Sequence, residues 1–568
     1  MKSFSLTLAL SVLALALAGC GGSTPPAATK TPAEIFGQID GNAVLEHTKI
    51  LSSDEFQGRF PGSKGEDFTV AYIADQFRKA GLKPGNPDKT WVQNVPLVGI
   101  TPDPNVTLTF NKGSKEQKLK FKDDFVAWTK HVADTAELQA SELVFVGYGV
   151  QAPEFSWDDY KGADLKGKTL VMLVGDPPVP DPNDPTKLDD KVFGGRAMTY
   201  YGRWSYKYET GAKMGAAGVL IVHETEPAGY PFAVVQNKIG EQFDLVTEDK
   251  NMSRVSIEGW ISLDQARTLF AMAGKNFDAL KNQALSRSFR PVPFGVNASI
   301  TLNNKVRTIQ SRNVVGKLEG SDRSLKEEYV VYTAHWDHLG IGIEVNGDKI
   351  YHGAQDNATG IGGLIELARA FNNVRPQPGR SVLFLAVTAE EQGLLGSGYY
   401  AEKPLYPLAR TLAVINMDVL NVYGKTRDVT IVGLGNSELD DYAGQVAAEQ
   451  GRVIKPDPTP EKGSYYRSDH YPFAKQGVPA LASGSGIDFI GKPDDYGKKV
   501  KAEYTANVYH KPADVVRPDW DMSGAVQDLQ FYGLIGYRVA QAAKYPEWKA
   551  GSEFKARRDA QLKAAGYR

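Results

Sequence analysis

The rhythm of apolar and polar positions changes along the chain. Phe68, Ala71, Ile73, Ala74 and Phe77 recur near helical spacing, so a helix is expected over Asp67–Ala80. Val106-Thr107-Leu108-Thr109-Phe110 then alternates as a strand does. From about Leu138 to Val292 short β-rich runs, Leu143–Gly147 and Thr169–Val174, are separated by Gly, Pro and Asp. Pro177–Pro185 reads as a loop, and Tyr208–Val222 as a helix running into a strand. From about Val296 the pattern is α/β. Tyr329–Thr333, Val382–Thr388 and Leu412–Asn416 are apolar strand candidates. Between the first two, Ile361, Leu364, Ile365, Ala368 and Phe371 form one apolar face of a helix over Gly360–Val374. A last amphipathic helix is expected from about Ala525 to Ala543, then a charged tail from Lys549. Apolar strands alternating with amphipathic helices predict an α/β/α sandwich on a mainly parallel sheet. No internal repeat is visible.

Composition narrows the function classes. At 568 residues the chain is long enough for several domains, at roughly 100–200 residues each. Lys+Arg 65 against Asp+Glu 67 leaves a net charge of -2, so no global basic field exists and nucleic acid is not an expected partner. The single cysteine, Cys20, excludes an intrachain disulfide framework, a multi-cysteine zinc site and an iron–sulfur cluster. Its context is a lysine near the start, an apolar run Phe4–Ala18, and then Leu17-Ala18-Gly19-Cys20. This resembles the lipobox of bacterial lipoproteins, which implies a signal peptide over 1–19, export, and a membrane anchor through lipidated Cys20 alone. Gly21 after the cysteine implies the outer membrane, facing the periplasm or the cell surface. Residues 20–33, rich in Gly, Ser, Thr, Pro and Ala, read as a flexible tether. The body is then without a thiol, so any metal must be held by His, Asp and Glu.

Two motif matches are set aside. Gly162-Ala163-Asp164-Leu165-Lys166-Gly167-Lys168-Thr169 fits a phosphate-loop pattern, but it precedes a strand instead of following one. His223-Glu224-Thr225-Glu226-Pro227 starts like H-E-x-x-H and ends in proline. No G-x-S-x-G elbow is present. The remaining chemistry collects after predicted strands: Thr333-Ala334-His335-Trp336-Asp337-His338, then Gln355-Asp356-Asn357, Ala389-Glu390-Glu391-Gln392 and Asn416-Met417-Asp418. Each alone is more often a cap, a turn or a solvated face. Together they bring imidazole and carboxylates to one edge of an open sheet, where α/β proteins bind ligands. Such donors without thiolate favour Zn²⁺ or a similar ion, and their number suits two ions sharing a carboxylate.

These segments resemble the co-catalytic zinc exopeptidase family that includes bacterial aminopeptidases and glutamate carboxypeptidase. The resemblance implies two Zn²⁺ per chain, with His335 and Asp418 on one, Glu391 and His510 on the other, and Asp356 bridging. It implies Glu390 as general base, Asp337 as the partner orienting His335, and Tyr509 as stabiliser of the oxyanion, with Asp514 supporting His510. Ser468-Asp469-His470 matches a segment that lines the site, so His470 is not taken as a ligand; His338 and His352 are read as peripheral. Residues Ile341–Tyr351 form an insertion, with a hairpin expected at Asn346-Gly347. Val146–Val150, Leu165–Val171 and Gly211–Ile221 resemble a protease-associated domain. The expected partition is 34–130 as the N-terminal segment of the peptidase domain, 138–292 as the protease-associated domain, 295–548 as the catalytic domain, and 549–568 as the tail. The implied substrates are peptides, attacked first as an aminopeptidase would. A carboxypeptidase, a glutaminyl-cyclase-like acyltransferase working with one zinc, and a non-enzymatic binding module stand as alternatives. Side-chain specificity and oligomeric state are not encoded in any motif found.

Overall fold

The computed structural model describes Met1, residues 30–237 and residues 240–567; the leader and Cys20 lie outside the described residues. Its main sheet runs, from one edge, Gln242–Leu245, Val92–Pro102, Val292–Leu318, Ser381–Val387, Tyr329–His335, Thr411–Asn416, Ala480–Ser485, Asp428–Val432 and Val453–Pro456. The four strands from Ser381–Val387 to Ala480–Ser485 are parallel. Every residue of Tyr329–His335, Ser381–Val387 and Thr411–Asn416 is buried, which explains their unbroken apolar runs: both faces are covered.

Alternation divides the two faces. Val330, Tyr332 and Ala334 join the core under Gly41–Leu51, Lys64–Lys79, Thr359–Asn373 and Ser523–Gln541. Tyr329 and Val331 join the opposite core, with Tyr400, Phe473 and Trp548. Gly536 lets the long C-terminal helix seat closely, because a Cβ there would lie 1.9 Å from Tyr332 Oη. That hydroxyl donates to Tyr532 O at 2.7 Å. The helices expected from periodicity form at Lys64–Lys79, Thr359–Asn373 and Ser523–Gln541. Asn346 and Gly347 both take positive φ between paired strands Gly340–Val345 and Asp348–Tyr351, as a tight hairpin requires. No helix among the described residues is long and apolar enough to cross a membrane.

A second sheet runs Lys115–Lys120, Thr107–Lys112, the first half of Val292–Leu318, Thr135–Phe145, Thr169–Leu173, Gly218–His223, Ile257–Ser262 and Phe125–Trp128. Two boundaries therefore differ from the sequence partition. Residues 107–128, expected in the peptidase segment, pair in this second sheet. Its other end falls inside a strand: Val292–Asn303 pairs with Thr135–Phe145, and the same strand from Asn304 onward pairs in the main sheet. A single 27-residue strand carries the chain across both, with buried and exposed positions alternating through its first half. The second unit also rests on the main one through residues 196–209. Met198 N donates to Pro460 O, and the Tyr200 ring packs on Tyr466 and Tyr471.

The Phe371 ring, fully buried, meets Phe36, Tyr332 and Phe384 at centroid distances of 5.1, 5.4 and 5.9 Å. Phe371→Ala should destabilise the main unit by about 3–5 kcal/mol, read as a lower denaturant midpoint in fluorescence-monitored unfolding.

Candidate metal centre

The parallel strands end at one edge, and the candidate residues hang from those ends. His335 is the last residue of its strand, and Glu390 and Asp418 follow Val387 and Asn416 by three and two positions. Asp356 lies just before Thr359–Asn373, held there by main chain. The amides of Gln355 and Asp356 donate to the Asp514 carboxylate at 2.9 and 3.0 Å. Asp514 thus supports Asp356 and not His510 as expected, because its two oxygens are aimed at those two amides.

His335 Nδ1 lies 3.1 Å from Asp337 O. A carbonyl only accepts, so Nδ1 donates to it, and Nε2 faces Asp356 Oδ1 at 3.2 Å and Asp418 Oδ1 at 3.3 Å, the position from which it would bind a cation held by the two carboxylates. Asp337 therefore orients His335 through its backbone. Its carboxylate stands 3.8 Å from the ring and instead accepts the amides of Glu390 and Glu391 at 3.0 and 3.3 Å. The expected role shifts accordingly: the Asp337 side chain positions the glutamate pair.

The other Asp356 oxygen faces a second group. His510 Nε2 lies 3.4 Å from Asp356 Oδ2 and 3.0 Å from Glu391 Oε2. His338, read as peripheral, belongs here too: its Nδ1 lies 2.8 Å from Glu391 Oε1, and its ring meets His510 edge to face. A second histidine three residues after the first was the available signal. It was outweighed because only His335 had a counterpart in the family pattern. His352 stays off the site, against Ser52 O and Asp348. His470 is buried against Tyr465, and burial holds its pKa down to about 3. Tyr509 sits at the rim, 40% exposed, stacked on His510 at 3.8 Å.

The electrostatics fit cations. Burial alone would lower His335, but Asp356 and Asp418 outweigh it and raise it well above the usual imidazole range. His510 is likewise lowered by burial yet raised overall to about 10, chiefly by Glu391 and Asp356. Burial pushes Glu390 far above the carboxylate range; His335 opposes this, and Asp418, Glu391 and Asp469 add to it. Among the described residues no side chain or amide donates to the Glu390 carboxylate. Both ring nitrogens of His338, Glu391 Oε1 and His510 Nε2 are buried without an aligned hydrogen bond. Donor atoms converging without protons to share are what a cation site presents. Two groups satisfy this within 4.8 Å, His335–Asp356–Asp418 and His338–Asp356–Glu391, and Asp356 is common to both. The residues fit two divalent ions with nitrogen and oxygen ligands.

The fold and this edge define an α/β/α sandwich with a candidate metal centre at the carboxyl ends of its parallel strands. Residues 313–533 match the model of peptidase family M28, and this region is similar to that family. Mouse aminopeptidase NAALADL1 is 31% identical over 132 residues, covering 22% of this chain and 16% of that protein. Leucine aminopeptidase 2 of Trichophyton rubrum is 27% identical over 217 residues, 36% of this chain and 40% of that protein. The chain thus matches less than half the length of these curated relatives. The aminopeptidase from Aneurinibacillus sp. strain AM-1 shares the fold across 91% of this chain and 97% of its own, with a TM-score of 0.50 at 19% identity.

If His338 belongs to the second donor group, His338→Ala should weaken binding of one of two zinc ions by about 10–100-fold. His352→Ala should leave both unchanged. Chelator-competition titration checks the pair.

Proposed function

We propose that this chain is a zinc-dependent exopeptidase, an aminopeptidase in the first instance, acting on peptides with two metal ions and Glu390 as general base. The observation that carries the proposal is Asp356, which offers separate oxygens to two donor groups. His335 and Asp418 would hold one ion and Glu391 with His510 the other; His338 is placed to join the second. Two bound divalent ions would polarise the scissile carbonyl and acidify a water.

The chain's own residues supply the rest. Glu390 is fixed through its amide by Asp337, and its carboxylate accepts no other hydrogen bond from the described residues, so it is free to take a proton from the attacking water. The same carboxylate then returns that proton to the leaving amine. The Tyr509 hydroxyl, at the rim beside His510, can donate to the oxygen on which charge develops. Ser468 Oγ donates to Asp418 Oδ2 at 2.6 Å and keeps that carboxylate turned toward His335. A glutaminyl-cyclase-like reading needs one ion, and the shared aspartate favours two.

The leader supports a second part of the proposal: export and tethering to the outer membrane through lipidated Cys20, with the second sheet unit covering the cleft. Glu390→Gln should keep about two zinc per chain while hydrolysis of free-amino aminoacyl substrates falls by at least about 10²-fold. Unchanged turnover refutes the base assignment, and cleavage of N-blocked peptides alone refutes the aminopeptidase reading. Cys20→Ala should move the protein from the membrane to the soluble fraction.

A further inference from the structure

Arg59 is 1% exposed, and it touches no carboxylate. Its guanidinium donates instead to four main-chain carbonyls. Nε reaches Trp336 O at 2.8 Å; Nη1 reaches Leu51 O and His352 O, and Nη2 reaches Gly353 O, each at 2.7 Å. Its own carbonyl accepts the His338 amide at 3.4 Å. Trp336 stands between His335 and Asp337, and Gly353 stands three residues before Asp356. One planar fork therefore joins the loop carrying His335 and His338 to the loop carrying Asp356, and both to the end of the helix Gly41–Leu51.

The way this side chain is delivered is unusual. Gln57, Gly58 and Arg59 take successive positive φ values of 49°, 64° and 51°. Two of the three are not glycine, and such conformations persist where surrounding structure imposes them. Gly58 is required as it stands, since a Cβ would come within 2.4 Å of Tyr351 O and 2.7 Å of Gly340 O, at the base of the inserted hairpin. Burial draws Arg59 down to about 10, while Asp514, Asp337, Asp356 and Glu391 hold it up, so it is a cation at neutral pH.

We infer that Arg59 is a positioning residue of the metal centre: it clamps the loop bearing His335, Asp337 and His338 against the loop bearing Asp356, and sets the spacing of the two donor groups before any ion binds. This rests on the dinuclear reading above. Lysine keeps the charge and much of the reach but is a point donor, without the fork that meets several carbonyls at fixed angles.

The experiment uses the full chain, wild type, R59K and G58A, freed of metal. R59K should weaken zinc binding by about 10–100-fold in chelator competition, with kcat falling while KM stays close to wild type. G58A, which keeps the cation but unseats its turn, should show the same pattern. Thermal melts of the metal-free proteins establish that each variant folds. In metal-free wild type, the amides of 336–338 and 354–358 should exchange slowly with solvent, since the clamp needs no ion. Wild-type zinc affinity and kcat in either folded variant overturns the inference, as does rapid exchange of those amides in metal-free wild type. A wild-type chain that takes up fewer than two ions refutes the dinuclear reading instead.

Discussion

Carboxylates withdrawn from water must each be given a partner, and at the carboxyl edge of this sheet that demand arranges everything else. A buried charge left alone is costly, and one held by amides or cations is not. Asp514 takes the amides of Gln355 and Asp356, Asp337 takes those of Glu390 and Glu391, and Asp469 takes the hydroxyl of Ser397. Each acid thus fixes the loop that presents the next. Asp356 and Glu391 are left facing imidazoles alone, and those are the groups that two cations would satisfy.

The parallel strands make this nesting possible. Four adjacent strands run the same way, so the loops at their ends emerge side by side without any long-range folding of the loops themselves. Asn357 ties two of them directly. Its side chain donates to Met417 O and accepts from the amides of Val419 and Gly360. Bringing Asp356 and Asp418 to the same histidine is therefore a property of main-chain bonding as much as of the ligands.

Much of this could be read from the chain. Unbroken apolar runs marked the central strands, because burial on both faces removes alternation. The 3.6-residue stripe from Ile361 to Phe371 marked the helix between them. His335, Glu391 and Asp418 stood out because they collect after the ends of such runs, and Asp356 because its polar loop leads into the helix; their roles came from the family pattern, since each alone reads as a cap, a turn or a solvated face. The rest was hidden for physical reasons. Which atoms of Asp337 and Asp514 are used depends on loop geometry, and no spacing rule carries that. His338 looked redundant because the family pattern needs only one histidine in its segment. Arg59 donates only to carbonyls, and carbonyls leave no trace in side-chain identity. The division near 295, read from the change to an α/β pattern, falls within a strand, where the alternation Phe294, Val296, Ala298, Ile300, Leu302 runs straight through.

That uninterrupted strand gives the molecule a mechanical character. Among the described residues Val292–Leu318 is the only strand that pairs in both sheets, and its ladder changes partners at Asn303–Asn304 without a loop. Two bodies joined by linkers can swing apart; two bodies sharing a spar can only flex it. The second unit is therefore attached to the main sheet by continuous strand and not by a hinge loop at this crossing.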